Sequence, residues 1–390
     1  MKKLVVLTTN RADFGLLRPV IQKLRKKESL DVRTAVSGSH LSPEFGMTYR
    51  EIEEAGIPID RRIEILLSGD TPSAISKTMA LAVMGFADYF EERKPDALLV
   101  LGDRYEAFSV CIAAVNARIP IIHLYGGETT EGAVDECYRH SITKMAMFHF
   151  TATEEFRQRV IQLGEDPSRV FLVGAMGVEN ALHFDPLNDA EFEKLTGIND
   201  ERPLVMCTFH PVTLESDTAG LQIRKLLSAV EQFPGYFFLF TKANSDADGR
   251  IINQCIQDYV NTHENAVLVD SLGARGYLTG LRKASFVLGN SSSGLAEVPS
   301  FGIPTINIGD RQKGRIKAAS VIDCAPETDA IIAAIHKAED PDFRSVCSLR
   351  VNPYGDGNTS SAIADRIEEL MKNDLNVKKS FYDMKAAKEL

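Results

Sequence analysis

Eight ionisable side chains crowd a short stretch of this chain: Asp103, Glu106, His123, Glu128, Asp135, Glu136, Arg139 and His140. Carboxylates set among imidazoles and a guanidinium can move protons, because such neighbours push the pKa values of an acid and a base apart. The elements around them explain the crowding. Ala97-Leu98-Leu99-Val100-Leu101 is an apolar run suited to a buried parallel strand, broken at Gly102 before Asp103-Arg104-Tyr105-Glu106. A helix-period segment over 107–117 leads to a second apolar strand, Ile119-Pro120-Ile121-Ile122, which ends in His123-Leu124-Tyr125-Gly126-Gly127-Glu128. The segment opening at Asp135 carries Ile142, Met145 and Ala146 at helical spacing. Two strands therefore deliver polar groups to the carboxyl edge of one parallel sheet, where ligands bind in open α/β folds. Charged residues at strand ends also serve as helix caps and solvated loop ends, so the cluster gains its catalytic meaning from the second half of the chain.

There, Gly289-Asn290-Ser291-Ser292-Ser293-Gly294 follows an apolar strand and precedes a helix-forming Leu295-Ala296-Glu297-Val298. Free backbone N–H groups at a helix start, with hydroxyls beside them, suit a phosphate, although one serine alone would make an ordinary N-cap. Glu297, one turn further on, can accept from a ribose or stand as a plain helix carboxylate. His210-Pro211 closes another strand, and Gly309-Asp310-Arg311-Gln312-Lys313-Gly314-Arg315 follows a third; both suit a diphosphate at a sheet edge, while a lone histidine reads equally as a structural residue and a basic loop as a solvated surface.

The 390 residues exceed what one hydrophobic core usually organises, which points to two domains. Strands alternate with helices through both halves, so each is α/β with a doubly wound parallel sheet. The reading places an N-terminal domain over 1–185, a C-terminal domain over 200–358, and a last helix and tail over 359–390 that return to the first domain. No G-x-G-x-x-G follows the first strand, against a standard dinucleotide site. The net charge of −10 argues against nucleic acid and anionic membranes as partners. No apolar run reaches the roughly 20 residues of a membrane span. Leu4-Val5-Val6-Leu7 runs into Thr8-Thr9-Asn10-Arg11 without a cleavage site, so it reads as a first strand and the location as cytoplasmic. Six cysteines without a C-x-x-C pair read as reduced thiols, and no metal site is expected.

Taken together, Asn10-Arg11-Ala12-Asp13, Gly38-Ser39-His40-Leu41, Gly102-Asp103-Arg104-Tyr105-Glu106, Gly126-Gly127-Glu128, Arg139-His140-Ser141-Ile142-Thr143-Lys144, His210-Pro211-Val212-Thr213, Gly289-Asn290-Ser291-Ser292 and Arg311-Gln312-Lys313-Gly314-Arg315 span nearly the whole chain. In this order they resemble the hydrolysing UDP-N-acetylglucosamine 2-epimerases of sialic acid biosynthesis, including the epimerase half of the bifunctional animal enzyme. The resemblance implies a GT-B fold, two Rossmann-like domains facing a central cleft, and a homodimer or homotetramer. It implies that UDP is held by His210, Asn244, Ser291, Ser292, Glu297 and Arg311, joined by Arg11 and Arg104. Asp103, Glu128 and Asp135 would then face the sugar and, with His210, carry the catalysis without metal or nicotinamide. Related epimerases often carry a glutamate where this chain has Tyr125, which leaves Glu128 or Glu106 to take the role of base. The expected products are UDP and N-acetylmannosamine. Within the family, hydrolysis of a UDP-2,4-diacetamido-trideoxy sugar for legionaminic acid, or a non-hydrolysing epimerisation, are the alternatives. Outside it stand a glycosyltransferase and a nucleotide-sugar sensor.

Overall fold

A computed structural model describes residues 1–67, 71–129, 134–211, 218–243 and 249–384. The chain forms two compact units, one of Met1–Met176 with Asn358–Leu390 and one of Gly177–Gly357.

The first unit is built on β1 (Lys2–Thr8), β2 (Leu30–Ser37), β3 (Ile59–Ile63), β4 (Ala97–Leu101), β5 (Ile121–Leu124), β6 (Phe148–Thr151) and β7 (Val170–Leu172). They lie in the order β3-β2-β1-β4-β5-β6-β7, with every pairing parallel. Successive side chains of a strand point to opposite faces, and both faces here are covered by helices. Accordingly Leu4, Val6, Leu99 and Ile122 enter one core while Val5, Leu7, Leu98, Val100 and Ile121 enter the other. That two-sided burial is why these strands read as unbroken apolar runs. Edge strand β3 does not read that way: Asp60, Arg61 and Arg62 make it look like a loop. The strand order reverses between β1 and β4, so the loops after them flank the switch point where ligands bind.

The helix Thr359–Met371 packs on the helix Arg11–Leu24, placing Ile363, Ala364, Ile367 and Met371 in the core of Leu17, Val20, Ile21 and Leu24. Each large aliphatic chain buried there contributes about 1.5–3 kcal/mol. Lys23 and Lys27 add a hydrogen bond to Ser361 of 2.7 Å and an ion pair to Glu368 of 3.0 Å.

The second unit repeats the plan with β8 (Leu204–Thr208), β9 (Phe237–Thr241), β10 (Ala266–Val269), β11 (Ala284–Gly289), β12 (Thr305–Ile308) and β13 (Val321–Cys324). The sheet is parallel, ordered β10-β9-β8-β11-β12-β13, with its switch point between β8 and β11. His210 and the Asn290-Ser291-Ser292 loop follow those two strands. The sequence suggests a first boundary at 185 and a linker up to 200, whereas this unit begins at Gly177. The intervening residues are packed: Phe184 meets Phe301 with ring centroids 6.2 Å apart. A helix, Asp189–Thr196, starts on an Asn188–Glu191 capping box and buries Phe192. Its polar first turn hides it among loop-like residues.

All six cysteines are free thiols. Among the described residues no helix is long and apolar enough to cross a membrane, and no group of three or more His, Cys, Asp or Glu is arranged to hold a metal ion.

Candidate active site

In the first unit one side chain organises the carboxyl edge. Arg139 lies on the helix Asp135–Met145, a turn beyond Asp135 and Glu136, and is 2% exposed. Its Nη2 donates to the Asp103 carboxylate after β4, and its Nη1 donates to Glu136 Oε2 at 2.6 Å and to the Glu128 carbonyl after β5 at 3.0 Å. A buried guanidinium costs several kcal/mol of desolvation and requires such partners. It therefore joins two strand ends and a helix start into one arrangement. The residue was legible as a cation near the site; its spacing from Asp135 and Glu136, i+4 and i+3, was the signal for this larger role.

Asp135 is the first residue of that helix rather than its cap, which is Val134. Burial raises its pKa, and the charge of Asp103 raises it further against the opposing pull of Arg104 and Arg139. A carboxyl made more basic beside a carboxylate tied to arginine is an arrangement suited to proton transfer. Glu128 is half-buried in a loop fixed by Arg139 and by Arg159, which donates to the Gly127 carbonyl. Glu106 is 2% exposed and receives Arg104 Nε at 3.2 Å, so it is committed as a counter-ion. The Arg11 side chain is 61% exposed and pairs with Glu51 at 3.0 Å, a surface contact weak enough to exchange for an anionic ligand. The Tyr125 hydroxyl accepts the Met176 N–H at 2.6 Å.

Several motif residues are framework. His123 is fully buried, with Nε2 2.8 Å from the Gly102 carbonyl and Nδ1 3.3 Å from the Thr143 hydroxyl. A carbonyl only accepts, so Nε2 carries the proton and Nδ1 is an acceptor. His40 is equally buried between the hydroxyls of Thr8 at 3.0 Å and Thr48 at 2.8 Å. Burial pushes the two pKa values down to about 3 for His123 and about 4 for His40.

A pH dependence of stability follows. Both imidazoles stay neutral in the folded chain, while in the unfolded chain they titrate near about 6.5. Folded values below the unfolded one mean that stability is complete above pH ~6.5 and is lost as the pH falls toward those values. Each histidine should remove up to about 1.4 kcal/mol per pH unit in that window. Denaturant midpoints between about pH 7 and about pH 4.5 check this. A flat profile would contradict it.

In the second unit Asn290 is the organiser, 1% exposed. Its Oδ1 accepts the His210 N–H at 2.7 Å and its Nδ2 donates to the His210 carbonyl at 2.8 Å. Its own carbonyl receives Arg311 Nη1 at 3.1 Å and Gln312 Nε2 at 2.9 Å. Three strand-end segments thus meet on one residue, His210 at its side-chain amide and Arg311 and Gln312 at its backbone carbonyl. The chain can approach because residue 289 is glycine: at φ 142° a Cβ there would stand 1.9 Å from the Thr208 carbonyl oxygen. The helix expected after the serines is a single turn, Ser293–Ala296, continued by the 3-10 turn Val298–Phe301 with Pro299 in it. Ser291 Oγ lies 3.4 Å from the Ser293 N–H, and Ser292 makes no side-chain cap, so a dipole adds little and loop N–H groups carry any phosphate contact.

Glu297 accepts from the Ser293 hydroxyl, which in turn receives the Tyr277 hydroxyl at 3.0 Å. Burial raises the Glu297 pKa, and the Ser293 hydrogen bond opposes this. Tyr277 lies on another helix, and nothing in the sequence links it to Glu297. Asn244, Val212 and Thr213 lie outside the described residues.

Comparison with known proteins gives a consistent result. Residues 22–368 match the family described as UDP-N-acetylglucosamine 2-epimerase. The chain is 39% identical over 345 residues to the GDP/UDP-N,N′-diacetylbacillosamine 2-epimerase (hydrolyzing) of Campylobacter jejuni, covering 88% of this chain and 89% of that one. It is 39% identical over 385 residues to the polysialic acid biosynthesis protein P7 of Escherichia coli, covering 98% of each. The crystal structure of UDP-GlcNAc 2-epimerase from Neisseria meningitidis, bound to UDP-GlcNAc, superposes with a TM-score of 0.80 at 21% identity, covering 96% of this chain and 100% of that one. That likeness shows a common fold, the GT-B type with two Rossmann-like units.

Proposed function

Since the chain belongs to the UDP-N-acetylglucosamine 2-epimerase family, we propose that it is a hydrolysing 2-epimerase that converts a UDP-linked 2-acetamido sugar and water into UDP and the free C2-epimer. The arrangement of Asp103, Arg139 and Asp135 carries this reading. The C2 proton of a sugar is not acidic, so the leaving group must help remove it. The C1–O bond breaks with its electron pair going to UDP, and the developing positive charge at C1 acidifies C2. Asp135 accepts the C2 proton, leaving a 2-acetamidoglucal. Water then adds its oxygen to C1 and gives up a proton to Glu128, C2 receives a solvent-derived proton on the opposite face, and Asp135 and Glu128 return their protons to solvent as UDP and the sugar leave. Asp103, held by Arg139, stabilises the developing positive charge.

His210, Arg311, Ser291 and Ser292, with Arg104 and Arg11, are assigned to the departing diphosphate, and Glu297 to the ribose. Asn244 is retained on the resemblance alone. The route requires no metal and no nicotinamide.

UDP-N,N′-diacetylbacillosamine is the favoured substrate, supported by the name and identity of the Campylobacter relative. UDP-N-acetylglucosamine, giving N-acetylmannosamine for sialic acid, is the second reading, supported by the polysialic acid relative that matches 98% of the chain. UDP release from the two sugars measured side by side decides between them. A site that hydrogen-bonds the second acetamido group should prefer the diacetamido sugar by at least about tenfold in kcat/KM. The reverse preference would establish the sialic acid reading.

A further inference from the structure

The segment after the last helix docks on the first unit at a group of residues to which the proposed chemistry gives no task. Lys379 Nζ donates to the Ala146 carbonyl at 2.8 Å and to Glu165 Oε2 at 2.7 Å. The Tyr382 N–H donates to the Gly164 carbonyl at 2.9 Å. The Phe381 ring lies against Gly164, where a Cβ would come within 2.3 Å of it, and 4.9 Å from the Lys144 ammonium. The exposed ring rests in the space that a side chain at residue 164 would enter.

Glu165 is 1% exposed and also accepts Lys144 Nζ at 2.6 Å, with His149 Nε2 3.1 Å away. Burial works against its charge, but the hydrogen bonds from His149, Lys144 and Lys379 prevail and hold its pKa at about 2. The anchor therefore stays ionised across the ordinary pH range.

What the segment holds is informative. Ala146 closes the helix Asp135–Met145, and Lys144 lies in its last turn. A cation at this end also complements the helix dipole. The opposite end of the same helix carries Asp135, Glu136 and Arg139. We propose that residues 376–384 form a strap that fixes this helix along its axis and so aligns Asp135 and Arg139 with Asp103, making Lys379 and Phe381 positioning residues. Only the turnover part of the test rests on the proposed function.

Full-length Lys379→Ala, Phe381→Ala and Lys379→Arg variants test it through kcat, the Kd for UDP and amide hydrogen exchange over residues 143–149. Displacement of a proton-transfer group by about 1 Å can cost around 100-fold. Both alanine variants should therefore lose at least about tenfold in kcat, keep UDP affinity within about twofold and exchange faster at 143–149. Lys379→Arg should recover most of the rate. The strap would be refuted by wild-type exchange at 143–149 in both alanine variants. Parallel losses of kcat, UDP affinity and melting temperature, or an arginine variant no better than alanine, would also overturn it. If the wild-type protein released UDP from neither sugar, the functional reading would fail, and the exchange measurement would still decide the strap.

Discussion

Arg139→Met should all but abolish turnover and destabilise the first unit by about 3–5 kcal/mol, the cost of removing one partner from a buried ion pair. The methionine fills the space of the side-chain stem but returns nothing to its acceptors. Asp103 and Glu136 lose their counter-ion, and the Glu128 carbonyl loses its donor. The effect on rate should exceed about a thousandfold, because the loops after β4 and β5 lose their common tie. Arg139→Lys should recover little, since an ammonium on a flexible stem cannot match a planar fork that reaches three acceptors. Thermal denaturation and UDP release check both parts. A stable Arg139→Met protein with appreciable turnover would show that the guanidinium is not the organiser.

Asp135→Asn should behave differently. The amide keeps the shape and removes the base, so the fold and UDP affinity should survive while turnover drops by about 10²–10⁴. The pH profile provides a second readout. The Asp135 pKa is raised by burial and by the charge of Asp103. A group that accepts a proton in the slow step loses activity as the pH falls through its pKa. The acid limb of kcat/KM in the wild-type enzyme should therefore lie above the ordinary aspartate range and be absent from the residual activity of Asp135→Asn. An unchanged acid limb would move the role of base to Glu128.

These expectations rest on residues of unequal legibility. The apolar runs of β4 and β5 announce two buried parallel strands, because a strand covered on both faces is apolar throughout and each run is only a few residues long before Gly102 or His123 ends it. Once those strands were placed, the topology of a parallel sheet put Asp103 and Glu128 at one edge. The helix from Asp135 had to return along the sheet, which brought Arg139 within reach. Edge strands β3 and β13 do not read as strands, because Asp60, Arg61, Arg62 and Asp323 break their apolar character where solvent allows it. Residues 185–200 read as a linker, yet their polar surface conceals a packed helix.

Within the site, the sequence separated charge from framework poorly. His123 and His40 stand in conspicuous motifs, but both are buried struts. Conversely, Asn290 appeared only as one letter in a serine-rich loop, and its clamp on His210 depends on adjacent positions of β8 and β11 that no spacing reveals. The hydrogen-bond chain from Tyr277 to Glu297 and the docking of Lys379 on Glu165 are tertiary facts of the same kind.

In the proposed reaction UDP departs by elimination across C1 and C2, and water completes the conversion. Proton and phosphorus NMR of the full-length protein with UDP-N,N′-diacetylbacillosamine and, separately, UDP-N-acetylglucosamine in deuterated water tests it directly, with no acceptor added. The predicted result is stoichiometric free UDP with a released sugar inverted at C2 and carrying deuterium there. Release of a sugar that keeps its original configuration and its C2 proton would mean simple hydrolysis at C1, and it would contradict the account.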